Sequence, residues 1–390
     1  MAGNNQEKIK VVFLVGNGFD ISCGLKVSYS DFYRWYLKQP APNDKVDAMK
    51  KSIEKYMLEF GGKKYSSNSA DTIQDQITWA DFEMGLGEYT QNCSDAEAFE
   101  ACYRDALKSL ATYINKQAER FDVNGTPEPE LERFADGIIH WTDDLRTGAR
   151  NKIHIRSVSG VEYSFVSFNY TVILRDIINK VKELYYEKTG VSPFGEVINV
   201  HGYTDWLPIF GVSAEEQISN PQFKKNERIT GFFIKRQCVE NIAEDWYEKA
   251  SQIIENSDVL CLFGTSIGST DSIWWEKILY LLLKKPYMNV VLYTHSDPPD
   301  PIFSGDGIAK DKETRERLLR YGINISEEGK RELEKRIHIV YDQQSSAMKI
   351  KLASKKFEFD LSELLKEAEA AEEAEATDDS ASIDSLFPVT

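Results

Sequence analysis

The chain has 390 residues, 42% of them hydrophobic and 12% aromatic, enough to bury a substantial core and too apolar for wholesale disorder. A formal net charge of −16 sets up long-range repulsion toward nucleic acid and anionic lipid, so neither is an expected partner. Five cysteines without a C-x-x-C pair and five histidines without metal-ligand spacing predict free thiols and no bound metal.

The first ten residues, MAGNNQEKIK, are polar and run straight into a strand-like segment, so no signal peptide is visible and a cytoplasmic protein is expected. Residues Ile9 to Val15 (IKVVFLV) form a nearly continuous apolar run, the pattern of a central strand covered on both faces. The stretch 43–150 then reads as amphipathic helices, with a capping box predicted at Thr78 to Asp81 and Glu83 inside the helix that follows. Further apolar strand-like runs come at 163–168, 196–201, 258–263, 287–293 and 336–341. Between the first two, Ile173, Ile177, Val181 and Leu184 repeat at helical spacing. Strands alternating with helices predict an α/β fold with a doubly wound, mostly parallel sheet.

A basic cluster, Lys224, Lys225, Arg228, Lys235 and Arg236, reads as a solvated loop able to meet phosphate or an acidic partner. The longest strongly apolar run, Ile278 to Leu283, is too short to span a bilayer. Residues 296–310, rich in Pro, Asp and Gly, are expected to form an irregular loop or lid. From Glu363 to Asp379 there are eight acidic residues against one lysine, the composition of a solvated helix or a disordered tail. Leu386, Phe387 and Val389 near the end could dock on the body, though a terminus more often frays. The organisation expected is a sheet domain from 1–42 and 151–360, a helical insertion at 43–150, and an acidic C-terminal tail at 361–390.

Four polar motifs each end an apolar strand. The first is Gly16-Asn17-Gly18-Phe19-Asp20, followed by Gly24-Leu25 and Ser28-Tyr29-Ser30-Asp31-Phe32. Glycines there let backbone amides approach a phosphate, and a tight turn would need the same glycines. The second, Ser167-Phe168-Asn169-Tyr170-Thr171, carries two polar residues, of which a helix cap explains one. The third is His201-Gly202, a histidine at the sheet edge where catalytic groups collect. The fourth is Gly264-Thr265-Ser266-Ile267-Gly268, with Ser269-Thr270-Asp271 opening a helix, where hydroxyls can bind ribose or phosphate or cap that helix. Together they describe a nucleotide cleft.

The run GNGFD, GL, SYSDF, SFNYT, HG and FGTSIGSTDSIWW resembles the AbiH family of bacteriophage abortive-infection proteins, in islands over roughly residues 9 to 285. Those motifs are in turn similar to a divergent sirtuin-type NAD fold of Rossmann type. The resemblance implies Gly16, Asn17, Gly18 and Asp20 in the phosphate loop, Asn169 as the asparagine motif, His201 as the catalytic histidine, and Thr265 and Ser266 as nucleotide contacts. The cysteine quartet of zinc-bearing sirtuins is absent, so the closer analogy is to zinc-free NAD hydrolases of phage defence.

That resemblance implies NAD as substrate or ligand. Amides around Gly16 to Gly18 would cradle the diphosphate, Asn169 would orient a ribose hydroxyl or the attacking water, and His201 would act as general base. Asp20 is either a ribose contact or a cap of the turn. Two alternatives stand beside this: a non-catalytic nucleotide sensor signalling infection to a partner through the helical insertion or the acidic tail, and a metal-dependent nuclease using Asp31, Asp81 and Glu83. The partners expected are a nucleotide and a phage or host protein trigger, with self-association left open.

Overall fold

The computed structural model describes residues 8–60, 79–93, 95–153, 160–206, 208–242, 244–300 and 302–355. Residues Met1–Ala353 form one compact unit and Ser354–Thr390 a second, of which only 354 and 355 are described. The acidic tail, including Leu386 and Phe387, therefore lies outside the described residues, as do Thr78 and the Asp81 side chain of the expected capping box.

Six parallel strands form the sheet: β1 (Ile9–Val15), β2 (Val161–Ser167), β3 (Phe194–Asn199), β4 (Val259–Phe263), β5 (Asn289–Thr294) and β6 (Ile337–Tyr341). Their spatial order is β3-β2-β1-β4-β5-β6, with β1 central. The chain passes from β1 to β2 and β3 on one side and returns to β4 on the other, so the order reverses between β1 and β4. That reversal opens a crevice at the strands' carboxyl ends, where open α/β sheets hold their ligands. All six expected strands are present. Strand β3 ends at Asn199 rather than His201, because the chain turns at Val200 and His201 and so releases the histidine from the ladder.

Both faces of the sheet are covered, which accounts for the unbroken apolar runs. Val11, Phe13 and Val15 join one core with Phe165, Cys261 and Phe263, and Val12 and Leu14 join a second with Val166, Leu260 and Leu262. This is the period-two alternation of a strand, with apolar residues on both sides. Phe13 pairs in register with Phe165, and their rings stack at 5.8 Å. Each such fully buried side chain contributes roughly 1.5–3 kcal/mol.

The first core is roofed by α1 (Gly18–Ser22), α2 (Tyr29–Lys38), α3 (Asp44–Phe60), α4 (Trp79–Tyr89), α5 (Ala96–Ala118), α6 (Glu128–Ile139), α7 (Thr147–Arg150), α8 (Ile173–Thr189) and α9 (Glu227–Phe233). The helical stretch 43–150 shares this core with the sheet, contributing Met49, Phe82, Leu86, Phe99 and Phe134 among others. After α10 (Lys235–Ile242), the helices α11 (Glu244–Glu255), α12 (Ser272–Lys284), α13 (Ser304–Leu319) and α14 (Glu327–Glu334) cover the second core.

Local sequence explains several boundaries. Helix α2 starts at Ser28, whose Oγ accepts from the Asp31 amide at 3.2 Å and donates to the Asp31 carboxylate at 2.5 Å. Helix α8 stops at Gly190, whose φ of +74° is the left-handed cap glycine favours. Residues 304–310 are helical, not the loop expected from their glycines. Asp306 sits in the first turn of α13, where a carboxylate suits the helix dipole, and pairs with Lys310 one turn on at 3.1 Å. Among the described residues no helix is long and apolar enough to cross a membrane.

Candidate functional site

The four strand-end motifs meet at the carboxyl edge of the sheet around a cavity of about 660 Å³. Gly16, Asn17, Gly18, Asp20, Asn169, His201, Thr265 and Ser266 all line it, so the eight residues singled out from sequence share one wall system.

The glycines of the first motif have a contact to explain them. A Cβ at Gly16 would lie 2.5 Å from the Gly264 carbonyl oxygen, and one at Gly18 would lie 2.5 Å from the Gly264 Cα. Gly264 itself has a φ of +64°. The three glycines let the ends of β1 and β4 touch at the point where the strand order reverses. The Gly16 amide donates to the Phe263 carbonyl at 2.8 Å and the Gly18 amide to the Gly264 carbonyl at 2.9 Å. Those two amides are engaged within the protein, in a strand-to-strand clasp. Asn17 is likewise tied down, its Nδ2 donating to the Val27 carbonyl at 2.6 Å.

Asp20 joins the first motif to the second. One carboxylate oxygen accepts from Thr171 Oγ1 at 2.8 Å and the other from Asn169 Nδ2 at 3.2 Å. Thr171 is thereby committed to Asp20 and not to capping a helix. Burial pushes the Asp20 carboxyl up to about 7, outweighing the two hydrogen bonds that favour its ionised form. Asn169 is 2% exposed, yet among the described residues its Oδ1 has no hydrogen-bond partner. A buried amide oxygen left open at the edge of a cavity is an acceptor ready for a ligand donor. Its backbone is fixed from beneath by Asn199, whose Nδ2 donates to the Asn169 carbonyl at 2.9 Å.

At the neighbouring wall His201 is oriented by a carboxylate. Its Nε2 lies 2.9 Å from Asp271 Oδ1, which leaves Nδ1 as the nitrogen open to a substrate. A carboxylate on one ring nitrogen fixes the tautomer and makes the other nitrogen the base. Asp271 occupies the residue before α12 but makes no side-chain cap bond, so its carboxylate is given over to His201 and to Lys235. Lys235 Nζ stands 3.1 Å from that same Oδ1 and 2.9 Å from Glu83 Oε1, and Glu83 also accepts from the Gly211 amide at 3.1 Å. Burial works to raise the Asp271 carboxyl, but the Lys235 ammonium and His201 outweigh it and hold it well below the usual carboxylate range. Burial likewise opposes the Lys235 charge, and Asp271 with Glu83 reverse that and raise it.

His201, Lys235, Thr270 and Asp271 also border a second, smaller cavity of about 210 Å³, so this cluster is a partition between two spaces.

Three members of the cluster escaped the sequence reading. Lys235 is 8% exposed and doubly paired, not part of a solvated basic loop. The local signal was its place behind the apolar run Gly231-Phe232-Phe233-Ile234. By sequence Asp271 is only part of the segment that opens a helix, and Glu83, between Phe82 and Leu86, is a metal ligand of the nuclease alternative. Among the described residues no group of three or more His, Cys, Asp or Glu side chains is placed to hold a metal ion. Of the nuclease set, Glu83 is paired with Lys235 and Asp31 is committed to the start of α2, so the two are not assembled into one centre.

No curated protein matches the chain significantly. The family model described as bacteriophage abortive infection AbiH matches residues 12–293, more than half of the chain, and the protein belongs to that family.

Proposed function

We propose that the large cavity binds NAD and that the protein, acting in the cytoplasm on a signal from a phage or host protein, hydrolyses it to nicotinamide and ADP-ribose. One observation carries this reading: a histidine already oriented by a carboxylate and an unpartnered buried amide oxygen line the same cavity, at the point where the strand order reverses. The cavity's volume falls in the range of small-molecule sites.

In this reading the Asn169 Oδ1 accepts a bond from a ribose hydroxyl and fixes the sugar. Water attacks the ribose C1′, the C1′–N1 bond breaks with its electron pair passing to the pyridine ring, and the water proton goes to His201 Nδ1. Nicotinamide leaves neutral, so no strong acid is required and positioning supplies most of the rate. Thr265 and Ser266 offer hydroxyls on the phosphate or adenosine side. The likeness of the strand-end motifs to those of the sirtuin-type fold supports NAD as the nucleotide. Purified protein incubated with NAD, with and without phage lysate, should release nicotinamide, and His201→Ala should not.

A second reading is favoured by the cavity's other wall, which includes Glu83 of α4 and Ile114 of α5. A bound nucleotide would touch the helical layer directly and could signal occupancy without turnover. Saturable NAD binding with no nicotinamide released would select this sensor reading.

A further inference from the structure

Two donors converge on one oxygen in the cluster. His201 Nε2 at 2.9 Å and Lys235 Nζ at 3.1 Å both reach Asp271 Oδ1, and Lys235 is drawn the other way by Glu83 Oε1 at 2.9 Å. Glu83 lies on α4, in the helical stretch, whereas Asp271 and His201 are carried by the sheet's strand-end turns. Side-chain exposures of 3% for Glu83, 9% for both Lys235 and His201 and 19% for Asp271 limit the water that reaches the cluster.

We propose that Glu83 is a positioning residue for His201, acting through Lys235: by holding the ammonium it leaves Asp271 Oδ1 available to orient the imidazole, and so makes the helical layer part of the candidate catalytic centre. Without Glu83 the Lys235 charge would fall wholly on Asp271. An ammonium beside a carboxylate in a poorly hydrated site is a strong charge-assisted partner, so the histidine would lose its orientation. The charged and titratable groups facing the imidazole are Asp271 ahead of α12, Lys235 of α10, Glu83 of α4 behind that lysine, and Tyr170 after β2, whose ring lies 5.9 Å from that of His201. Tyr170 gives its hydroxyl to the Ile209 carbonyl at 2.9 Å, so it does not compete for Asp271. The catalytic consequence rests on the proposed role of His201, but the geometry does not.

The test uses the full chain without ligand and reads the downfield proton NMR signal of the His201 Nε2–H bonded to Asp271, assigned by its loss in His201→Ala. Glu83→Leu should move that signal upfield or broaden it, while Lys235→Met should move it further downfield by removing the competitor. The double variant Glu83→Leu/Lys235→Met should restore it. If Glu83→Leu does not fold, the Lys235→Met shift alone decides. A wild-type protein with no such signal, or a signal unmoved by folded Glu83→Leu or by Lys235→Met, overturns the proposal. Loss of NAD turnover plays no part in this readout. Correct shifts in a protein that never releases nicotinamide would sink the hydrolase reading and leave this inference standing.

Discussion

Asp20, in the short helix α1 after the first strand, accepts a 2.8 Å hydrogen bond from Thr171, in the turn after the second, across 151 residues of sequence. With Asn169 on its other oxygen, this carboxylate is the physical link between the GNGFD and SFNYT motifs. The two segments are one polar cluster at adjacent strand ends, and each needs the other to satisfy its buried groups.

That link predicts a pH dependence. The folded-state pKa of Asp20 is raised to about 7 from an ordinary value near 4, so its contribution to stability is fully present below about pH 4 and lost as pH rises through about 7. Asp20→Asn removes the titration. The variant should gain on the wild type between about pH 4 and 7, by on the order of a few kcal/mol in denaturant unfolding. A stability difference that is flat with pH would show that Asp20 does not titrate there.

The clasp between β1 and β4 predicts that Gly18→Ala is a folding defect before it is a binding defect. Its Cβ would sit 2.5 Å from the Gly264 Cα, a backbone atom that cannot rotate away. Overpacking of this kind costs about 1–3 kcal/mol, read as a lower thermal midpoint. An unchanged midpoint with lost nucleotide binding would instead favour a direct phosphate contact.

For the hydrolase reading, His201→Ala should lower turnover by roughly 10²–10⁴-fold with NAD affinity nearly intact. Asp271→Asn should also lower turnover, by at least about 10²-fold, because an amide in place of the carboxylate can hold the wrong tautomer. Since both act on one transition state, the double variant should be little worse than His201→Ala alone. Multiplicative losses would mean that the two do not form a unit.

Elemental analysis of protein purified without chelators should find no stoichiometric zinc, because the described Cys, His, Asp and Glu side chains form no closed ligand set. One zinc per chain would refute this.

Much of this protein was legible in its sequence. Apolar runs of strand length with helical periods between them specify a parallel sheet covered on both faces, because an uncovered face would leave those residues in water. The polar motifs ending those runs had to lie on one edge, since parallel strands share a direction. Residues such as Asn169 and His201 could therefore be placed by local pattern alone. Only the tertiary structure decided what their neighbours are. Nothing in the local pattern of Glu83, Lys235 or Asp271 says that one buried ion-pair chain will join them, because pairing depends on which surfaces the fold brings within about 3 Å, across separations such as the 70 residues from His201 to Asp271. The same holds for Gly16 and Gly18: their sequence context fits a phosphate loop and a strand clasp equally, and only the fold shows that Gly264 approaches too closely for a side chain at either.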